Sequence, residues 1–187
     1  TLDGVADDWP IAYGDLAPFY AENDRMMGVA GLPGDPAYPP DNSERMAPLP
    51  LGRAGEVLAR GFNKLGWHWW PSDTAIATEA YDGRDKCINL GACMWGCAQG
   101  AKASTDITYW PHAMRAGVEL RTGCRVREIT VGDDGMATGA IYYDEDGVEQ
   151  EARAHVVVMA CNAVGTARIL LNSKAEAFPD GLCNGSG

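Results

Sequence analysis

Three cysteines, Cys87, Cys93 and Cys97, fall within eleven residues in a C-x5-C-x3-C spacing, with Gly91, Gly96 and Gly100 interleaved. Thiolates are soft ligands. Glycines let a backbone fold tightly enough for three sulfurs to converge, and they leave amides free to hydrogen-bond sulfur. A structural zinc site takes four ligands, usually as two C-x2-4-C pairs, and the fourth would have to come from Cys124, Cys161 or a histidine. A cubane lacking one iron needs only three. The competing readings are a disulfide between two of these cysteines, or three buried thiols.

A second constellation lies at residues 156–173. Val156-Val157-Val158-Met159-Ala160 is a continuous apolar run of the kind found in strands buried on both faces, and Gly165-Thr166-Ala167-Arg168 opens a helix just after it. In open α/β sheets, ligands sit at the carboxyl ends of strands, where helix N-termini present amides to a phosphate or a cofactor edge. Ala160, Cys161, Asn162 and Thr166 occupy that place, and Cys161 reads as a reduced, buried thiol. Other chemistry is poorly represented. No G-x-G-x-x-G follows a strand, and no G-x-S-x-G suggests a hydrolase. His68, His112 and His155 are far apart in sequence, and each reads as structural.

The elements that must position these residues are mostly short. A helix is expected near the start, capped by Asp15, with Leu16, Tyr20, Asn23 and Met27 on one face and Pro18 in its first turn. Residues 28–50 hold six prolines and no sustained period, so they read as a surface or interdomain excursion and not a second core. A helix over Arg53–Leu65 follows from Ala54, Val57, Leu58, Phe62 and Leu65, with Gly66 to stop it. The run Trp67-His68-Trp69-Trp70 reads as a strand packing its rings into an interface, or as one wall of a sugar-sized pocket.

Residues 80–105 carry the cysteines and little secondary structure. A helix is expected from about Thr105, restarted or kinked by Pro111, to near Gly117. The strand-like runs Val118–Thr122, Cys124–Val131, Ala137–Tyr143 and Val148–Ala154, with turns at Asp134-Gly135 and Asp146-Gly147, predict a small antiparallel meander. Val156–Ala160 has no parallel partner in the chain, so its sheet is expected to lie mostly outside this sequence. The division expected is 1–79, 80–117 and 118–187.

The formal charge is −11, and the 15 basic residues are scattered, which argues against nucleic acid or an anionic membrane surface as partner. No apolar run is long enough to span a bilayer. The compartment is left open between the cytoplasm and a bacterial periplasm or inner-membrane-associated site.

Several separated motifs, in order, carry a family resemblance. Asp8-Trp9-Pro10-Ile11 with Tyr13, Asp15-Leu16-Ala17-Pro18 and Tyr20, the cysteine stretch into Gly100–Asp106, Val126, Ile129, and Ala160–Thr166 through Arg168, Leu170, Leu171, Asn172 and Ser173 resemble the glucose–methanol–choline (GMC) flavoprotein oxidoreductases. The branch that looks most similar is the gluconate and sugar dehydrogenase flavoprotein subunits. The resemblance implies part of a three-layer α/β FAD-binding domain with a meander, an α+β or α/β class, plus part of a substrate domain. It implies FAD, hydride transfer from the CH–OH group of an alcohol or sugar, and electrons passed to a cytochrome or quinone. Val126 would have its backbone at the adenine, and the Ala160–Asn162 turn would pass close to the flavin. Cys87, Cys93 and Cys97 would hold a three-iron, four-sulfur (3Fe-4S) cluster. The family's glycine fingerprint and catalytic histidine have no counterpart here, so the chain reads as an internal piece with no catalytic residue of its own. An oxygen-using oxidase of the same family and a non-enzymatic metal- or disulfide-stapled module are the alternatives.

Overall fold

The computed structural model describes residue 4 and residues 8–40 and 43–182; Cys183 lies outside the described residues. The chain forms two compact units, 1–118 and 119–187.

The first unit begins with α1, Tyr13–Met27. Ala12 is its N-cap, and Asp15, expected to be the cap itself, sits three residues inside and accepts the Ala12 N–H at 2.8 Å. The helix therefore starts earlier than expected and carries Pro18 past its first turn, where one backbone bond is forfeited. Gly28 ends it in the left-handed conformation (φ 64°). A Cβ there would also meet the Tyr81 ring at 2.7 Å and the Arg84 guanidinium, so only glycine fits on both counts.

Residues 28–50 do more than the excursion expected of them. Ala30 pairs in parallel with Met46 and antiparallel with Thr74, through bonds such as Ala30 N–H to Thr74 C=O at 2.8 Å and Met46 N–H to Val29 C=O at 3.0 Å. Ala30, Met46 and Ala77 are buried together, with Tyr81 against them. The proline-rich stretch thus delivers two of the three buried residues of that cluster, and small alanines allow the strands to approach closely enough to pair. Arg84, 8% exposed, closes the assembly by donating to Met27 C=O at 2.8 Å and Ala101 C=O at 3.4 Å.

Helix α2, Gly52–Leu65, ends at Gly66 as expected. Its apolar face is only partly covered: Ala59 is buried and Phe62 stacks on Trp67, while Val57, Leu58 and Leu65 are 52, 59 and 62% exposed. The Trp67–Trp70 run forms no strand; its indole N–H groups go to a helix side chain and a distant loop instead, Trp69 to Asn63 at 2.9 Å and Trp70 to Leu32 C=O at 2.7 Å. Turns over 105–108 lead into α3, Tyr109–Arg115, so Pro111 falls within its first turn.

In the second unit β1 (Arg125–Val131), β2 (Ala137–Tyr143) and β3 (Glu149–Arg153) form the expected meander, order β1-β2-β3, all antiparallel. Residues 118–122 form no strand; Arg121 is drawn instead to Glu119 at 2.8 Å and to the Tyr142 hydroxyl at 2.9 Å. Helix α4, Asn162–Asn172, packs on β1. A buried serine secures that contact: Ser173 Oγ accepts the Ile129 N–H at 2.8 Å and donates to Ile169 C=O at 2.7 Å. The run 156–160 is a correction. It is neither buried nor in a sheet: Val156 and Val158 stand 76 and 81% exposed. An extended apolar segment without a parallel neighbour has nothing to pair with, and none of the described residues supplies one.

Candidate functional site

The cysteine loop is shaped by its backbone. Gly91, Gly96 and Gly100 all have positive φ, as does Asn89, at 58°. The Cys87 N–H donates to Ala77 C=O at 2.8 Å, tying the loop to the buried cluster. Gln99 clasps the loop's start: its amide donates to Lys86 C=O at 2.6 Å and its carbonyl accepts the Ile88 N–H at 3.3 Å. Lys102 reaches back to Cys93 C=O at 3.0 Å. Sequence reasoning singled out neither residue as part of the site, because a side chain bonding a loop backbone leaves no periodicity or motif.

The sulfurs are not equivalent. Backbone N–H groups of Lys102, Gln99, Ala101 and Gly100 hold the Cys97 thiol below its ordinary range, against a smaller opposing effect of burial. Donors aimed at a sulfur favour the thiolate. Cys87 Sγ receives one amide, from Asn89 at 3.4 Å. Cys87, Cys93, Cys97, Cys124 and Cys161 are all free thiols, so no disulfide joins the described cysteines. Nor do three His, Cys, Asp or Glu side chains among the described residues converge on one point as a metal-binding set. Cys97 is thus fitted to bear a negative charge, while the trio as folded does not form a closed ligand set. Iodoacetamide is expected to label Cys97 ahead of the other described thiols, with a pH midpoint below the ~8.5 of a free thiol; peptide mapping across a pH series measures it.

The second candidate site is at the start of α4. Cys161, expected to be buried, is an exposed N-cap. Its N–H donates to Thr166 Oγ1 at 3.3 Å. Asn162 adopts φ 65°, a conformation Asn tolerates better than other side chains, and its Oδ1 accepts the next N–H, that of Ala163. Ala160 is exposed and Val164 is 82% exposed. The turn therefore presents backbone and small apolar surface outward, with the Cys161 and Ala163 N–H groups held by Thr166 and Asn162. Val126 lies near the start of β1, opposite Tyr142, where the register breaks before Glu128. The break takes Arg127 out of the ladder and leaves Val126 39% exposed.

His68 and His112 are both tied to carboxylates, Asp35 at 2.8 Å and Asp82 at 2.9 Å. Arg115 donates to His112 Nδ1 at 2.9 Å. His112 first, through its hydrogen bond, lowers the Asp82 carboxyl from its ordinary range. No described helix is long and apolar enough to cross a membrane.

A 2-methyl-1,2-propanediol dehydrogenase of Mycolicibacterium austroafricanum is 42% identical over 188 residues, covering 100% of this chain and 34% of that protein. Paromamine 6'-oxidase of Streptomyces fradiae is 32% identical and the fructose dehydrogenase large subunit of Gluconobacter japonicus 28%, each over 98% of this chain and 34% of the relative. The chain thus spans about a third of the length of these curated relatives. The GMC oxidoreductase model matches residues 48–178, a stretch that contains the cysteine loop, the meander and the α4 turn. The chain belongs to the GMC oxidoreductase family.

Proposed function

We propose that the protein carrying this chain is an FAD-dependent oxidoreductase that oxidises a CH–OH group of an alcohol, polyol or sugar and passes the electrons to an external acceptor. The observation that carries this reading is the family match across 48–178, which runs through the exposed α4 turn. Bound FAD would supply a two-electron hydride acceptor. The chain's own residues would do the holding. Ala160, Cys161 and Asn162 would lie along the flavin edge, with Thr166 fixing the turn through the Cys161 N–H, and the Val126 backbone would meet the adenine. The 2-methyl-1,2-propanediol dehydrogenase and the fructose dehydrogenase among the relatives support an alcohol or sugar substrate, and the acceptor in this reading is a cytochrome or quinone. Residues 1–79 would contribute to the substrate-side domain, residues 80–117 the cysteine loop and its helix, and residues 118–187 the FAD domain.

The finer assignment of Cys87, Cys93 and Cys97 to a 3Fe-4S cluster rests on their spacing and on the amides around Cys97. The absence of a converged set among the described residues stands against a preformed site. Full-length protein purified anaerobically is expected to contain about three irons per chain, and Cys97→Ser to lose them while keeping flavin. Flavin without iron in the unaltered protein sinks the cluster alone. A second reading, an oxidase using oxygen, is favoured by the 32% identical paromamine 6'-oxidase. The two separate in steady state: turnover with an artificial dye or quinone that greatly exceeds turnover with oxygen supports the dehydrogenase, and the reverse supports the oxidase.

A further inference from the structure

Within the first unit a concavity of about 1000 Å³ opens between the proline-rich loop and the aromatic run, at the upper end of the roughly 300–1000 Å³ of small-molecule sites. Tyr13, Tyr38, His68 and Trp70 line it. Trp70 is fixed by its indole N–H on Leu32 C=O at 2.7 Å, and the His68 ring lies against it with centroids 6.1 Å apart and planes at 22°. Asp35 also lines the cavity. Its Oδ1 meets His68 Nε2 at 2.8 Å and accepts the Ala37 N–H at 2.9 Å, which leaves the other carboxylate oxygen unengaged by the described residues. On the opposite side Arg45 pairs with Asp73 at 3.4 Å and with Asp24 at 3.3 Å.

The charges in this cavity are matched to one another, and the rings around them are oriented by hydrogen bonds. An anion would have to displace a carboxylate from Arg45, and a cation would have to displace Arg45 or His68. A neutral ligand displaces neither. It can lay C–H surface on the rings while its hydroxyls accept from the guanidinium and donate to carboxylate oxygen. We propose that this cavity is a binding site for a neutral carbohydrate or polyol, with Tyr38 and Trp70 as stacking walls and Asp35 as the principal hydroxyl acceptor. The proposal does not depend on the flavin reading, since Val126, Ala160, Cys161, Asn162 and Thr166 do not line the cavity.

The test is isothermal titration of the full-length protein with sucrose, a disaccharide without a free anomeric hydroxyl. Saturable binding of about millimolar affinity is expected. Tyr38→Ala, at a ring 73% exposed, and Asp35→Asn, which keeps an acceptor for the Ala37 N–H, are each expected to weaken it about tenfold without changing the melting temperature. Three results would overturn the proposal: no saturable heat, equal affinity in the unaltered protein and in Tyr38→Ala, or tighter binding of gluconate or of a protonated aminosugar than of sucrose. The absorption spectrum of the same sample keeps the two proposals apart. Sucrose binding without flavin bands defeats only the oxidoreductase reading, and flavin bands without sucrose binding defeat only this one.

Discussion

Gly139→Ala is expected to destabilise the meander by about 2–3 kcal/mol, although it adds one methyl group. Gly139 sits in β2 between Thr130 of β1 and Arg153 of β3. A Cβ there would overlap the carbonyl oxygen of Ala152 and meet Arg153 Cα at 3.0 Å. Both obstacles are backbone, so no rotamer change relieves the clash; the β2–β3 ladder itself must part. The same change at Gly61, in α2 with open space around it and no positive φ, is expected to raise stability by up to about 1 kcal/mol. Hydrogen exchange at the meander amides of the full-length protein measures the first, and its thermal midpoint the second. Equal effects at the two sites would contradict the close approach of β3.

Asn162→Val is expected to weaken the affinity of the full-length protein for FAD about tenfold, which corresponds to roughly 1.4 kcal/mol. A β-branched residue strongly disfavours φ 65°, and valine also removes the Oδ1 that accepts the Ala163 N–H. The turn would therefore be relaid while the packed part of α4 stays in place, since Ile169 and Ser173 hold the other end of the helix to β1. Asn162→Gly, which adopts positive φ freely, is expected to retain most of that affinity. A loss of affinity in the glycine variant equal to that in the valine variant would remove the turn's conformation from the account.

The sequence made some of this legible and hid the rest for identifiable reasons. The meander was readable because Asp134-Gly135 and Asp146-Gly147 mark its turns, each glycine at φ 77°, and β-branched residues fill β1. Helix α2 was readable from the spacing of Val57, Leu58, Phe62 and Leu65. Three local patterns misled. Residues 118–122 and the Trp67–Trp70 run have strand-forming side chains, but ladder partners decide a strand, and Arg121, Trp69 and Trp70 found side-chain or loop partners instead. Val156–Ala160 has the composition of a buried strand, and its exposure follows from the lack of a neighbour among the described residues. The buried cluster was hidden because Ala30, Met46 and Ala77 lie far apart in sequence without period, and small residues in a proline-rich stretch resemble loop. The buried Arg84 gave no signal, since nothing local distinguishes an arginine that caps a distant helix from a solvated one. At the candidate sites, spacing pointed to Cys87, Cys93 and Cys97, but only the folded backbone of residues 99–102 distinguishes Cys97 by lowering its thiol below the ordinary range.

The measurement that tests the central claim most directly is anaerobic titration of the purified full-length protein with a small 1,2-diol and with sugars, followed by its absorption spectrum. The account predicts oxidised-flavin bands in the resting protein that bleach on adding at least one of these substrates and return on adding an electron acceptor. A stably folded full-length protein that carries no flavin and takes up none from added FAD would contradict it.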